Sequence, residues 1–214
     1  IGAYWQVNEE LSVRGTLQNA TRHGNITELY RGQGASLTDM DPDPCGTDPE
    51  TGIGPSSTAA QCANTGLPAA LYGSDLKSPA DQYNILTGGN PNLVPEESES
   101  TTIGVVWTPS SVPGLTVTLD YFDILIEDKI GTIPASTSLA NCLESGNPTF
   151  CSLIERDPIA GTLWVSPGQI ITTNTNVAEE SLNGFDLIFD YSLDTKLGPV
   201  DIKGISTITD SNGI

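Results

Sequence analysis

The chain is poor in positive charge and in long apolar segments, and each shortage excludes a class of protein. It has 8 Lys and Arg against 27 Asp and Glu, which gives a formal net charge of -19 at pH 7. Because nucleic acids are bound through clustered Lys and Arg, no nucleic-acid partner is expected. No segment approaches the roughly 18 consecutive apolar residues of a membrane-spanning helix. No basic segment followed by an apolar core opens the chain either, so we predict neither a spanning helix nor a leader peptide in it.

Catalytic motifs are also missing. The chain has one histidine, His23, and no G-x-S-x-G, H-E-x-x-H or phosphate-loop pattern. We therefore expect no enzymatic activity and no cofactor.

Glycine, proline and alternating segments, by contrast, are plentiful. The 22 Gly and 15 Pro indicate a loop-rich chain. Apolar side chains recur at every second position in several segments, such as Leu115, Val117, Leu119 and Tyr121, or Phe185, Leu187, Phe189 and Tyr191. This period indicates strands with one apolar face, and helical periodicity is absent from most of the chain. The prediction is an all-β fold, in which 138–143 and 150–156 fit either a short helical turn or coil.

Six strands are predicted, and they form three hairpins. The strands are Ile1–Val7, Leu11–Arg22, Thr101–Trp107, Leu115–Ile130, Gln169–Tyr191 and Val200–Thr209. Turns within the hairpins are short and connections between them are long: 8–10, 108–114 and 192–199 against 23–100 and 131–168. Outer-membrane barrels show this asymmetry, with short periplasmic turns and long extracellular loops. The pattern favours part of a large antiparallel transmembrane β-barrel.

A soluble β-sandwich is the alternative, since its strands also have one apolar and one polar face. Strand length favours the barrel, because 115–130 and 169–191 exceed both the usual soluble strand and the 9–11 residues that cross a bilayer. Trp5, Trp107 and Tyr191 precede the three short turns, as expected of an interfacial aromatic girdle. A secreted or surface sandwich acting as a binding or adhesion module remains the competing hypothesis.

Four cysteines fall in two close pairs within Gly-, Pro-, Asn- and Ser-rich loops. Cys45 pairs with Cys62 and Cys142 with Cys151 in the simplest interpretation, which is two local disulfides. Metal binding is the competing idea, but the spacing is not CxxC and His23 is far away in sequence. Disulfides imply an oxidising compartment such as the periplasm or the cell exterior.

An acidic segment within the first long loop has the hard oxygen ligands that Ca²⁺ prefers, at alternating positions. Its acidic residues are Asp39, Asp41, Asp43, Asp48 and Glu50. Prolines interrupt the spacing and the glycine of an EF-hand loop is missing, so a solvated acidic surface is the favoured interpretation and no metal site is assigned.

The segment 88–100, GGNPNLVPEESES, fixes a rigid extended approach to a strand, because Gly permits positive φ and each Pro restricts itself and its predecessor. It resembles a signature of TonB-dependent outer-membrane receptors that closes a long extracellular loop and leads into a wall strand of the barrel. The matching residues are Gly88, Gly89, Asn90, Pro91, Asn92, Leu93, Pro95 and Glu96.

Further segments extend the resemblance over most of the chain. Arg22, Glu28, Leu29 and Tyr30 match the strand-to-loop segment of the family, although His23 and Gly24 replace its usual Ala-Pro. The segments 112–130 and 183–191 resemble wall strands of the family, and the loop with Cys142 and Cys151 resembles an extracellular loop of one branch.

The resemblance implies a partial receptor barrel over 1–214, about six of roughly 22 strands, with the plug domain and TonB box outside this chain. It implies a Gram-negative outer-membrane location, contact with outer-membrane lipid, and energy from the TonB complex for uptake of a scarce nutrient such as a siderophore or oligosaccharide. A passive porin or a signalling-only receptor would use the same wall. Ligand-contacting residues are not predicted. Polar-face residues of the second strand, Arg14, Gln18 and Arg22, either line the lumen or pair with wall carboxylates such as Asp120, Asp186 and Asp190.

Overall fold

A computed structural model describes residues 1–177, 179–196 and 198–213. The strands are β1 (Gly2–Gln6), β2 (Leu11–Arg22), β3 (Gly34–Asp39), β4 (Gln82–Thr87), β5 (Glu96–Trp107), β6 (Leu115–Glu127), β7 (Ile130–Gly131), β8 (Ile154–Glu155), β9 (Gln169–Ile171), β10 (Thr175–Asn176), β11 (Glu180–Thr195) and β12 (Gly198–Gly213). The helices are α1 (Ile26–Tyr30), α2 (Ala59–Asn64), α3 (Ala135–Ser145) and α4 (Pro148–Cys151), with a 3-10 turn at Ala69–Leu71. None of these helices is long and apolar enough to cross a membrane.

The chain divides into two compact units. One contains residues 1–23, 94–129 and those from 178 onward, and we call it the wall sheet. The other contains 24–93 and 130–177, and we call it the loop module. Each is described by itself below.

The wall sheet is antiparallel throughout, in the order β1, β2, β5, β6, β11, β12. Consecutive strands pair as three hairpins, as the alternating pattern predicts. Directly opposed residues point to the same face of a sheet, so each row of opposed residues shares a face. Rows carrying Leu119 and Tyr121 form part of one face, the apolar face, and the row carrying Asp120 lies on the other, the polar face.

Four rows are used below and are named by their β6 residue. The Leu119 row is Trp5, Val13, Val105, Leu119, Leu187 and Ser206. The Tyr121 row is Ala3, Gly15, Ile103, Tyr121, Phe185 and Ile208. The Asp123 row is Leu17, Thr101, Asp123, Asn183 and Asp210. On the polar face, the Asp120 row is Tyr4, Arg14, Gly104, Asp120, Asp186 and Thr207.

Several predicted strand boundaries are wrong. The strand predicted at 101–107 begins five residues earlier, at Glu96, because the end of the Pro-rich segment already pairs with β2. The strand predicted at 169–191 is divided into β9, β10 and β11, since Ile170 and Ile171 pair with β4 in the loop module. The turn predicted at 192–199 is shorter, because Thr195 already pairs with Gly198; Leu197 lies outside the described residues.

The loop module has its own core, although 23–100 and 131–168 are predicted to be loops. A four-stranded sheet in the order β3, β4, β9, β8 combines both segments of the chain, through parallel pairing of β4 with β9. Fully buried Tyr83, Leu76, Leu163 and Ile170 pack in one cluster with both disulfides. Of the two ambiguous segments, 138–143 lies in α3, whereas 150–156 contains the end of α4 and then β8.

Local sequence explains the helix starts in the module. Asn25 accepts hydrogen bonds from the backbone N–H groups of Thr27 and Glu28, and the Glu28 carboxylate accepts one from the Asn25 N–H. Thr58 and Gln61 form the same reciprocal arrangement at α2. Such capping boxes satisfy backbone donors that have no partner within the helix.

Candidate functional site

Two of the segments that resemble the family, the one with Glu28 and the one with Gly89 and Asn90, meet in the loop module where β4 ends beside α1. The backbone N–H of Gly89 donates to Arg31 O (2.9 Å), and that of Asn90 donates to Glu28 O (2.9 Å). The Asn90 side chain donates to Asn174 O (3.0 Å), and the Asn174 side chain donates in turn to Glu28 O (3.1 Å). These hydrogen bonds join three segments that are far apart in sequence. We call this arrangement the motif cluster.

The two glycines of the motif cluster are required by close backbone approach. A Cβ added to Gly89 would lie 2.8 Å from the Leu29 carbonyl and from Arg31 N. A Cβ on Gly88 would lie 2.6 Å from Gln33 Cα, and Gly88 also has φ of +150°. Side chains are not accommodated where two backbones pass this closely. The sequence suggests glycine here for its freedom to adopt positive φ, and that reason applies only to Gly88. Gly89 is required by the close approach of the neighbouring backbone.

The other end of the motif lies in the wall sheet. Glu96 opens β5 directly opposite Arg22, the last residue of β2. Its carboxylate accepts from Arg22 Nε (2.5 Å) and Nη2 (2.7 Å). A bidentate Arg–carboxylate pair is geometrically specific, so it fixes the register at the loop-side ends of two neighbouring strands. The motif therefore makes two kinds of contact. Its first residues pack in the motif cluster of the module, and Glu96 joins β5 to β2 in the wall sheet.

The polar face carries a second bidentate pair in the Asp120 row. Arg14 donates to Asp120 through Nε (3.0 Å) and Nη2 (2.6 Å), across the intervening strand β5. The residue of β5 in that row is Gly104, and a Cβ there would occupy the space of the Asp120 carboxylate. Asp186 accepts from Thr207 (2.6 Å), and Asp190 pairs with Lys203 (3.0 Å).

The polar face is less uniform than the alternation of β6 and β11 predicts. Val106, Ile188 and Ile205 share one of its rows with Thr118, and Ile205 is 75% exposed. Gln18, which is predicted either to line the lumen or to pair with a wall carboxylate, lies opposite Ser100 on the same face. The three aromatic residues predicted as a girdle all lie on the apolar face, in three different rows.

Both predicted disulfides are present, between Cys45 and Cys62 and between Cys142 and Cys151. The first closes a loop in segment 24–93 and the second a loop in segment 130–177. Neither one joins the two segments to each other.

A buried ion pair that sequence reasoning missed makes that connection. Arg156 donates to both carboxylate oxygens of Asp43 (2.6 and 3.2 Å), and both side chains are nearly inaccessible to solvent, at 2% and 0% exposed. The same guanidinium donates to Thr65 Oγ1 and to Gly161 O, both at 2.8 Å. A buried charge is tolerated when it is paired and hydrogen-bonded; Arg156 is paired with Asp43, and four of its five N–H groups donate to an acceptor.

The acidic segment considered for calcium is separated into different interactions. Asp43 is occupied by Arg156, while Lys77 lies 3.0 Å from Glu50 and 3.6 Å from Asp48. The Glu50 backbone N–H donates to Asp48 and holds the pKa of that carboxyl below its usual range. The Lys77 pKa is raised, chiefly by its bond with Glu50. Within the described residues, no three His, Cys, Asp or Glu side chains converge as a metal site.

Two open cavities of about 500 and 420 Å³ adjoin in the loop module and share Asp39, Met40 and Ser136. The first is otherwise lined by Asp41, Pro42, Lys77 and Asp81. The second extends past Ile85 and Ile133 to Arg31 and Asn174, so it borders the motif cluster.

Comparison with known proteins defines the class. Residues 1–211 match the family described as TonB dependent receptor-like, beta-barrel. The chain therefore belongs to this family of receptors, whose members lie in the outer membrane of Gram-negative bacteria, and its wall sheet is part of an outer-membrane β-barrel.

Among solved structures, the siderophore receptor PirA from Pseudomonas aeruginosa is similar at a TM-score of 0.51 and 14% identity; the match covers 98% of this chain and 27% of that receptor. A mutant of the ferric enterobactin receptor PfeA from the same species has a TM-score of 0.48 at 13% identity, covering 95% of this chain and 21% of that one. PirA from Acinetobacter baumannii gives 0.43 at 15%, covering 88% and 20%. No curated protein matches the chain. The chain thus spans about a quarter of the length of PirA from P. aeruginosa.

Proposed function

We propose that this chain is the wall and extracellular-loop portion of a receptor that imports a scarce nutrient, using energy delivered by the TonB complex. In this proposal the loop module faces the cell exterior, and the polar face of the wall sheet faces the lumen of the barrel. A plug domain and a TonB box, both in residues outside this chain, transmit the energy.

The observation that carries the proposal is the family match over nearly the whole chain. The path of the chain supports it. Every long connection of the wall sheet belongs to the disulfide-bonded loop module, whereas every short turn joins members of a hairpin. Long, folded connections that alternate with short turns are expected of a wall whose loops select a ligand. The sandwich alternative is wrong, since the fold is that of the receptor barrel family.

Uptake assays in living cells test the proposal. The gene for the full receptor is deleted and restored in cells with and without TonB, and radiolabelled ferric siderophores, cobalamin and oligosaccharides are supplied in turn. We expect at least one of them to accumulate only when both the receptor and TonB are present. Accumulation that needs the receptor but not TonB would indicate a passive pore. If no compound accumulates but adding one changes the cell's transcription only when the receptor is present, the receptor acts in signalling alone.

A further inference from the structure

The apolar face of the wall sheet changes character abruptly along the strands. In the Leu119 and Tyr121 rows it carries large exposed apolar side chains, including Ile103 (54%), Leu187 (43%) and Phe185 (51% exposed). One row further toward the loop-side ends, the Asp123 row carries Thr101, Asp123, Asn183 and Asp210, with Leu17 as its single apolar residue. The next rows on this face add Glu99, Ser181, Glu97 and Glu127, beside Leu125.

On β6 the opposite face changes in the reverse sense at the same level. Below it, this face of β6 carries Thr116, Thr118 and Asp120, the partner of Arg14. Above it, the same face of β6 carries Phe122, Ile124 and Ile126, whereas β2 and β5 keep polar residues such as Gln18 and Ser98 there. A strand that keeps one environment along its length keeps one alternation phase. The simultaneous reversal of both faces of β6 therefore indicates that the surroundings of the sheet change at this level.

From these reversals we infer that the outer boundary of the membrane hydrocarbon lies between the Tyr121 row and the Asp123 row, so that the apolar face below this level contacts lipid acyl chains. The inference rests on the proposed function, which places the wall sheet in the outer membrane, and it adds the depth at which the sheet lies in the bilayer. Carboxylates such as Asp123 and Asp210 on a lipid-facing surface are costly in hydrocarbon and tolerated outside it.

The dimensions of the band agree with a bilayer. On β11 the apolar face runs from Phe185 to Leu193 without a polar residue, about nine residues, and about 9–11 are needed to cross a membrane. At its upper edge the rings of Tyr121 and Phe185 lie together, with centroids 5.1 Å apart. Tyrosine is favoured at such an interface, because its ring is apolar and its hydroxyl is hydrated. Beyond the boundary, β5, β6 and β11 continue for about 13 to 20 Å at roughly 3.3 Å per residue.

Single-cysteine labelling in living cells measures the boundary directly. The described part of the chain has no free cysteine, so an introduced thiol reports one position within it, measured against the labelling of the unsubstituted receptor. In the full receptor, Thr101→Cys and Val105→Cys form a matched pair on the same face of β5, and Asn183→Cys and Leu187→Cys form another on β11. A charged, membrane-impermeant maleimide is added to intact cells, and labelling after denaturation confirms that each thiol is present.

We expect labelling at 101 and 183 to be at least ten times faster than at 105 and 187. Leu125→Cys sharpens the test, since it replaces an apolar residue above the boundary and is expected to label quickly. Equal rates within either matched pair, or protection at 125, would overturn the inferred boundary. Outer-membrane fractionation and the heat-dependent gel shift of each variant are measured in parallel. A receptor absent from that fraction contradicts the proposed function, whereas one present there with the wrong labelling pattern contradicts the boundary alone.

Discussion

At the scale of single residues, Asp43 and Arg156 form a fully buried ion pair within the loop module. Their pairing is fully buried and bidentate, and it joins segments that are 113 residues apart. By contrast, Lys77 and Glu50 form a pair in which the Glu50 side chain is 78% exposed. The two pairs differ in what their loss costs in stability. An exposed pair is only slightly more favourable than two solvated charges, whereas removing one partner of a buried pair leaves an unpaired charge in the interior.

Asp43→Ala is therefore expected to destabilise the loop module by about 3–5 kcal/mol, because Arg156 would remain buried and unpaired. Glu50→Ala, the matched control on the same segment, is expected to cost less than about 1 kcal/mol. Hydrogen exchange of the full receptor in detergent, monitored for 24–93 and 130–177, measures both. Similar protection in the two variants would show that the buried pair is not a major stabilising contact.

Tyr83 is expected to make the loop module sensitive to alkaline pH. Its side chain is fully buried, and burial raises the pKa of the hydroxyl above its ordinary value of 10.0. A raised pKa in the folded state means that the stability from the neutral hydroxyl is complete below about pH 10 and is lost as pH rises through the folded pKa. We expect the module to lose exchange protection or protease resistance above pH 10, and Tyr83→Phe to reduce that loss. An unchanged pH profile in Tyr83→Phe would assign the sensitivity to other groups.

Gly89→Ala tests the close backbone approach in the motif cluster. The added Cβ meets the backbone of Leu29 and Arg31 at 2.8 Å, which a flexible side chain cannot relieve. Overpacking of this kind costs about 1–3 kcal/mol. Gly32→Ala is the control, since nothing lies within 4 Å of its Cβ. Exchange rates of α1 and of 88–93 report the effect. Equal rates in the two variants would mean that the cluster adjusts around the methyl group.

At the scale of the element, the strands were largely predictable and the loop module was not. Alternation located Leu11–Arg22 at both ends and the start of β6 at Leu115, because the two faces of a wall strand meet different surroundings. The same rule did not find the start of β5 at Glu96. Glu97 and Glu99 lie on the face that carries Ile103 and Val105 further along the strand, so alternation gives no signal there. Arg156 belongs to the loop that resembles the family, but neither its pairing with Asp43 nor the bond of Asn174 to Glu28 could be predicted, since each partner lies more than 100 residues away. A period in one segment contains no information about such pairings.

β5 also shows how a strand makes room for its neighbours. Gly104 lies between Arg14 of β2 and Asp120 of β6 and leaves the space in which their side chains meet. We expect Gly104→Val to separate this pair and to lower the temperature at which the barrel loses its heat-dependent gel mobility. Thr102→Val, on the same face of the same strand, removes only a hydroxyl contact with Thr16 and is the control. If both variants unfold at the same temperature as the parent, the pair contributes nothing measurable to the wall.

At the scale of the whole molecule, the two long connections form one compact unit. They share one core and one mixed sheet, although each has a disulfide of its own. A disulfide in one connection therefore supports the structure of the other.

Replacing Cys45 and Cys62 together by Ala is expected to increase hydrogen exchange in both 24–93 and 130–177, because removing a disulfide typically costs about 2–5 kcal/mol. The wall strands β2, β5, β6 and β11 should keep their protection, since they belong to the other compact unit. Faster exchange confined to 24–93 would contradict a shared folding unit.

The distance in sequence between Asp43 and Arg156 also imposes an order in time. The first half of the module leaves the ribosome with an unpaired carboxylate and only part of its core, and its guanidinium partner follows 113 residues later. At 5–20 residues per second, this interval is about 6 to 23 s. The Cys45 to Cys62 closure, only 17 residues long, does not require the second half, but it requires the oxidising compartment that the chain reaches after synthesis. The nascent chain must therefore carry an unfinished domain through a period that is long compared with most folding steps.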